Sequence, residues 1–183
     1  MIALPLVGVN LLYVRPSYVG GTVRYAEQLL SHLARSDRFR LKLYVQAGAF
    51  PTRDEAILAL PRTEFRIRGG VAMRVLVEQL VLPGRAERDG VDLLFSPGFV
   101  SPLRGAFAKV VTIHDLYYLR FPRFVRPWQR RYWQAFIPPS LRAVDAAITV
   151  SDSTRADLVS AFPWSASKTT RIHLGGDALP PAA

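Results

Sequence analysis

Short apolar runs alternate along the chain with stretches of helical period, and the fold is read from that alternation. Leu6 to Leu12 is almost continuously apolar, the pattern of a central parallel strand covered on both faces. From Thr22 onward, Val23, Ala26, Leu29, Leu30 and Leu33 recur at three- and four-residue steps and predict an amphipathic helix. Leu41, Leu43 and Val45 alternate as a second strand, Asp54 to Leu60 is a short helix ended by Pro61, and Glu64 to Ile67 is a third strand. After Arg68-Gly69-Gly70 a helix is expected from Val71 to Leu82, interrupted at Pro83-Gly84, with Arg85 to Asp89 adding a turn before Gly90. Val91 to Phe95 is a fourth strand, Pro102 to Ala108 a crossover loop, and Lys109 to Ile113 a fifth strand. The segment around 120–136 reads as helical; Pro138-Pro139 is expected to break it, leaving Ser140 to Val144 as a short continuation. Ala146 to Val150, a helix running to Phe162, and Thr169 to Leu174 complete the series. Strands alternate with helices without repeats. One α/β domain follows: Rossmann-like, doubly wound and mainly parallel, with helices on both faces.

In such a sheet, ligands gather at the carboxyl ends of the strands, so polar residues leaving an apolar strand are the first candidates for chemistry. Val110-Val111-Thr112-Ile113 delivers His114 and Asp115 there. Gly20-Gly21 precede the first helix, whose free N–H groups and dipole suit a phosphate or a sugar hydroxyl. Ser96-Pro97-Gly98 and Ser151-Asp152 leave two further strand tips. Each has a plainer reading. Asp115 can start a turn, the glycines can serve the loop conformation, and Ser151 can cap the following helix. The loop lacks G-x-G-x-x-G spacing, and G-x-S-x-G, H-E-x-x-H and Walker A patterns are all missing. His32 falls on a helix and His173 in the last strand, so no second histidine is placed to share a metal with His114, and no metal or cofactor is expected.

Composition changes the picture in one place. The 183 residues, half of them apolar, fit a single domain; with no cysteine there are no disulfides or thiolate sites, which suits a reducing cytosol. Met1 to Val14 lacks a basic n-region and is too short to span a bilayer, so a cytoplasmic protein, peripheral to the inner face of the membrane, is expected. The net charge of +10 comes from 21 arginines and 3 lysines, which a GC-rich coding genome explains as well as anion binding does. Between residues 120 and 136, however, the arginines cluster. Arg123, Arg126, Arg130 and Arg131 interleave with Trp128, Trp133 and other aromatics. This composition fits a surface that sits on anionic lipid headgroups, or a stacking platform for nucleic-acid bases; alternatively the aromatics pack inward while the arginines snorkel. No nucleic-acid motif accompanies the charge, so nucleic acid is not expected as a partner.

Several segments, taken in order, resemble the amino-terminal domain of the retaining glycosyltransferases of family four, which have the two-domain GT-B fold. They are Gly20-Gly21 with Arg24-Tyr25-Ala26 and Leu29-Leu30; Glu78-Gln79 with Leu82-Pro83; and Asp92 to Pro97. Thr112 to Leu116 with Phe121-Pro122, Arg142 with Asp145, Ile148 to Thr154, and Lys168 to Asp177 continue the match. The resemblance implies transfer of a sugar from a nucleotide-diphosphate donor to a hydroxyl of a saccharide or lipid-linked acceptor, with retained configuration. It implies that the glycine loop lies near the donor diphosphate and the acceptor, that His114 faces the donor sugar, and that Phe99 and the residues beside Ser96 shape the acceptor side. It also implies that residues 1–177 are the acceptor-side domain and 178–183 begin an interdomain linker. The family's second domain, with the cations on the phosphates and the E-x-seven-E motif, has no counterpart here. Whether the chain is a truncated piece or a natural half-enzyme with a partner stays open.

Overall fold

The apolar runs become seven strands of one sheet, all parallel, in the order β3-β2-β1-β4-β5-β6-β7. They are β1 (Leu6–Asn10), β2 (Arg40–Gln46), β3 (Arg62–Phe65), β4 (Leu93–Ser96), β5 (Ala108–Ile113), β6 (Ala146–Thr149) and β7 (Thr169–Arg171). The computed structural model describes residues 3–15, 20–50 and 52–175. Gly176, Asp177 and the expected linker at 178–183 lie outside the described residues. The chain adds strands outward in one direction from β1 to β3 and in the other from β4 to β7, so the carboxyl ends of β1, β4, β5 and β6 stand side by side at a topological switch point.

Strand parity explains the layers. In β2, Leu41, Leu43 and Val45 face a core shared with Val23, Ala26 and Leu30 of α1 (Gly21–Leu33) and with Ile57 of the one-turn α2 (Glu55–Leu58). Tyr44, between them, faces the opposite core with Leu82 and Ala86. On that second face, Val111 and Ile113 of β5 pack against Ile137 and Leu141 of α6 (Pro127–Ala143) and Leu158 of α7 (Asp152–Ala161). Helices therefore cover both faces.

Two helix boundaries differ from expectation, both at prolines. The helix that opens as α3 (Gly70–Leu76) does not stop at Pro83; it passes through a π-helical turn (Val77–Val81) into α4 (Leu82–Arg88). The wider π turn seats Pro83 in the first turn of α4, where its missing N–H is tolerated. α6 likewise runs through Pro138-Pro139, although each interior proline costs about 3 kcal/mol. The carbonyls they leave unbonded belong to Gln134 and Ala135, both exposed to water, while Ile137, Ser140 and Leu141 anchor the same turn in the core. The segment 120–136 is also not one helix: it spans the end of α5 (Tyr117–Arg120), a 3-10 turn (Pro122–Phe124) and most of α6. Strands β1, β6 and β7 are shorter than their apolar runs, because pairing ends before the hydrophobic pattern does.

Gly8 and Gly84 test this packing in opposite directions. A Cβ on Gly8 would lie 2.9 Å from the Tyr44 ring and 3.1 Å from Leu94, whereas one on Gly84 meets nothing within 4 Å. Gly8→Ala should lower stability by about 1–3 kcal/mol through overpacking, and Gly84→Ala should raise it by about 0.5–1 kcal/mol through helix propensity. Urea unfolding of the two variants checks both signs.

Candidate functional site

β5 ends with Thr112 and Ile113 buried, and His114 is the first polar side chain at its tip that solvent reaches. His114 Nε2 lies 2.7 Å from the Pro97 carbonyl. A carbonyl only accepts, so Nε2 carries the proton and donates it, and Nδ1 of the neutral ring remains an acceptor. The His114 backbone carbonyl accepts from Thr154 Oγ1 at 2.9 Å, which ties the strand tip to the first turn of α7. The ring meets Tyr25 of α1 edge-on at 4.9 Å and lies 5.2 Å from Phe99. Burial holds its pKa below the ordinary 6.5, outweighing the Pro97 carbonyl and Asp115, which both favour the charged form. At neutral pH this imidazole is an uncharged hydrogen-bonding group.

The neighbouring loops divide into parts that face the tip and parts that brace it. Gly20, the N-cap of α1, is extended at φ −165°, and Gly21 opens the helix with empty space where a side chain would be; the first turn contains no acid. These glycines leave a bare, positively polarised helix end beside Tyr25. Pro97 is buried and acts through its carbonyl. Ser96 is fully buried, and its Oγ accepts from Asn10 Nδ2 at 3.4 Å, so it braces β4 against β1. Ser151 caps α7, accepting from Thr154 N at 3.0 Å. Exposed Asp115 accepts from Tyr117 N at 2.9 Å and starts α5. Phe99 takes φ +66°, a left-handed conformation costing about 1–3 kcal/mol in a non-glycine residue. That backbone sets its ring between His114 and Trp133, 5.9 Å away.

Beyond Phe99 opens a cleft of about 330 Å³. One wall is Val71 and Arg74 of α3, the other Arg126, Trp128, Tyr132 and Trp133 at the start of α6, with Tyr13, Arg15 and Thr22 closing the end. A buried network underlies it. Arg74 donates to Glu78 Oε2 at 2.7 Å and to the Tyr132 hydroxyl at 2.8 Å, and Asn10 Nδ2 donates to Glu78 Oε1 at 2.7 Å. Burial raises the Glu78 carboxyl against the pull of Arg74; Arg74, although burial opposes its charge, is held above its ordinary value by Glu78 and Tyr132. A second, larger and more apolar cleft of about 560 Å³ lies between α1 and the chain after β7, lined by Tyr25, Ile148 and Ile172 among others. His114 stands between the two clefts. Among the described residues, no three His, Asp or Glu side chains form a metal-ligand set.

Residues 19–178 match the family model described as Glycosyltransferase Family 4. The chain belongs to glycosyltransferase family 4. Among solved structures, a glycosyltransferase from Rickettsia africae ESF-5 matches at TM-score 0.50 and 12% identity over 93% of this chain and 43% of that one. Anabaena Alr3699/HepE, solved in complex with UDP and glucose, matches at TM-score 0.54 and 18% identity over 95% of this chain and 45% of that one. These likenesses concern the fold, and this chain spans less than half the length of either. No curated protein sequence matches it.

In this family-4 domain the basic aromatic segment is split. Trp133, with Tyr132 and Phe136, packs inward on the core under α6, while Trp128 is 47% and Phe124 78% exposed. Arg126 lines the cleft; Arg123, Arg130 and Arg131 are exposed, outside it, and have no ion-pair partner among the described residues. Tyr13, Arg15 and Arg74, which the sequence reading assigned to no site, line the cleft with Tyr132 of the basic aromatic segment. For Arg74 a signal existed: an Arg and a Glu four apart on a largely apolar helix can pair with each other when buried.

Two outcomes follow. Arg74→Met strands a buried carboxylate and should cost about 3–5 kcal/mol in urea unfolding. For His114, the depressed folded pKa means that the unfolded chain binds the proton more tightly. Stability is full above the ordinary imidazole value and is lost as pH falls through it towards the folded one. His114→Gln should remove that loss, visible as a flatter stability difference between about pH 7.5 and about pH 5.5; an unchanged slope would rule it out.

Proposed function

We propose that this chain is the acceptor-side domain of a retaining glycosyltransferase that moves a hexosyl group from a nucleotide-diphosphate sugar to a hydroxyl of a polysaccharide, lipopolysaccharide or glycolipid precursor. The observation that carries the reading is the placement of His114, neutral and held by Pro97, between an aromatic cleft and the bare amino end of α1 in a family-4 domain. His114 Nδ1 accepts a hydroxyl of the donor sugar and fixes its orientation. The N–H groups at Gly20-Gly21 face the diphosphate, and the aromatic cleft receives the acceptor with Phe99 as the shared wall. Departure of the diphosphate needs positive charge where the anion develops, which a metal is not required to supply. A second domain provides most of that charge and most donor contacts. The UDP and glucose bound to the Anabaena neighbour support a nucleotide-sugar donor, and the length of that neighbour, of which this chain spans 45%, fits a reaction shared with a second domain. The work is done in the cytoplasm, at the inner face of the membrane.

Purified alone, the chain should release no nucleoside diphosphate from nucleotide sugars in the presence of acceptors; robust turnover would overturn the half-site assignment. In the two-domain enzyme, His114→Ala should lower kcat by about 100-fold with a smaller change in KM, and an undiminished kcat would remove His114 from the site.

A second reading rests on exposed Phe121, Phe124 and Trp128 beside Arg123, Arg130 and Arg131: a binding module for an anionic membrane or a lipid-linked acceptor. No helix among the described residues is long and apolar enough to cross a bilayer. The Arg130→Glu, Arg131→Glu double variant should lose co-sedimentation with phosphatidylglycerol vesicles. Unchanged binding removes the membrane role.

A further inference from the structure

We infer that the cleft between α3 and α6 takes an acceptor whose sugar ring carries an oxyanion, a phosphate or a carboxylate. The inference rests on the acceptor-side reading above and adds the chemical class of the acceptor. Three arginines, Arg15, Arg74 and Arg126, line the cleft, and among the described residues no carboxylate does. The nearest acid in the network, Glu78, is buried behind Arg74 and offsets that one charge. Arg15 and Arg126 have no ion-pair partner among the described residues. Two arginines without an ion-pair partner among the described residues thus line one concavity, whose low-dielectric walls concentrate their field. A planar guanidinium fork matches the paired oxygens of phosphate or carboxylate and binds them more strongly than any neutral hydroxyl.

The rest of the lining selects a ring beside that anion. Tyr13, Phe99, Trp128, Tyr132 and Trp133 present aromatic faces, whose negative quadrupole suits the C–H bonds of a pyranose. Gln129 and Thr22 add hydrogen-bonding groups. The volume of about 330 Å³ lies at the small end of the range for ligand sites and suits a single charged sugar unit more than a long chain. Phe99 packs against both Trp133 and His114, so a ring seated here lies next to the tip of β5. The charges that define this cleft are distinct from Arg123, Arg130 and Arg131, which lie outside it.

Trp128 and Trp133 line the cleft, whereas Trp164 stacks under Arg142 elsewhere, so intrinsic fluorescence reports occupancy. Titration of the 183-residue chain with glucose 1-phosphate should give a saturable change, and glucuronate should do the same. Methyl glucoside should give none over the same range, and inorganic phosphate alone should bind more weakly than the sugar phosphate. Arg126→Ser should weaken glucose 1-phosphate binding by about 10-fold. Arg126 makes no side-chain cap to α6, so this variant keeps the helix; Arg38→Ser, at the amino-terminal edge of the sheet, removes the same charge and should have no effect. Equal responses to methyl glucoside and glucose 1-phosphate, no response to either charged sugar, or unaltered binding in Arg126→Ser would overturn the anion assignment. A two-domain enzyme that transfers to neutral acceptors regardless of Arg126 would overturn it too, and would leave the transferase reading standing. Anion binding intact in an enzyme that transfers to no acceptor has the reverse meaning: the cleft is confirmed as an anion site and the transferase reading fails.

Discussion

An ion pair in which both partners are nearly dry, Arg74 with Glu78, joins the three elements that make the cleft. Two charges brought out of water lose several kcal/mol each, and their mutual attraction offsets this only when the remaining hydrogen-bonding groups are also satisfied. Here Asn10 from the tip of β1 holds one carboxylate oxygen, Arg74 holds the other, and Tyr132 of α6 takes a second guanidinium N–H. An apolar replacement of similar volume could be as stable, so net stability does not account for the pair. Its consequence is geometric: it fixes the separation of α3 from α6 and orients the Tyr132 ring beneath the Arg74 guanidinium at 5.3 Å. Glu78 lies in the π-helical turn, whose extra residue per turn rotates the following α4 so that Leu82, Pro83 and Ala86 reach the core.

A row of rings carries the same order to the strand tip. Tyr25, His114, Phe99, Trp133 and Tyr118 succeed one another from α1 through α6 to α5 at centroid distances between 4.9 and 5.9 Å. Such contacts contribute about 0.5–1.5 kcal/mol each, enough together to offset the left-handed backbone at Phe99. Close approach of Tyr13 to Gly98 has the same sense, because a Cβ at Gly98 would overlap the Tyr13 ring. The loop after β4 is thus shaped by its neighbours on both sides.

The layers were legible in the sequence because a period of two or of 3.6 survives any tertiary context; Leu41, Leu43 and Val45 could face only one way. Ser151 was legible for a related reason, since a helix cap is a local hydrogen bond. The misread positions depend on contacts distant in sequence. Pro83 is accommodated by the π turn before it, and Pro138-Pro139 carry a local cost that packing of Ile137 and Leu141 overrides. Ser96 stands at a strand tip, where a residue points either into the crevice or against its neighbour, and only pairing with Asn10 decides which. Arg74 and Tyr132 are 58 residues apart, and no pattern along the chain announces that they meet.

The charge distribution at the strand tips also bears on why a second domain belongs in the proposed reaction. Depression of its pKa leaves His114 neutral, so its proposed part is to orient a sugar and not to counter a developing anion. The amino end of α1 offers roughly half a unit charge, against a leaving diphosphate that carries several times that in the opposite sense. Arg15 and Arg126 lie on the far side of Phe99, in the cleft assigned to the acceptor, and an oxyanion bound there would occupy them. In the proposed reaction, most of the positive charge for the leaving group is therefore assigned to a second domain. On this reading, the two ends of the transfer are kept apart electrostatically, with acceptor charge neutralised by this domain and donor charge by the other, and neutral His114 stands at the boundary.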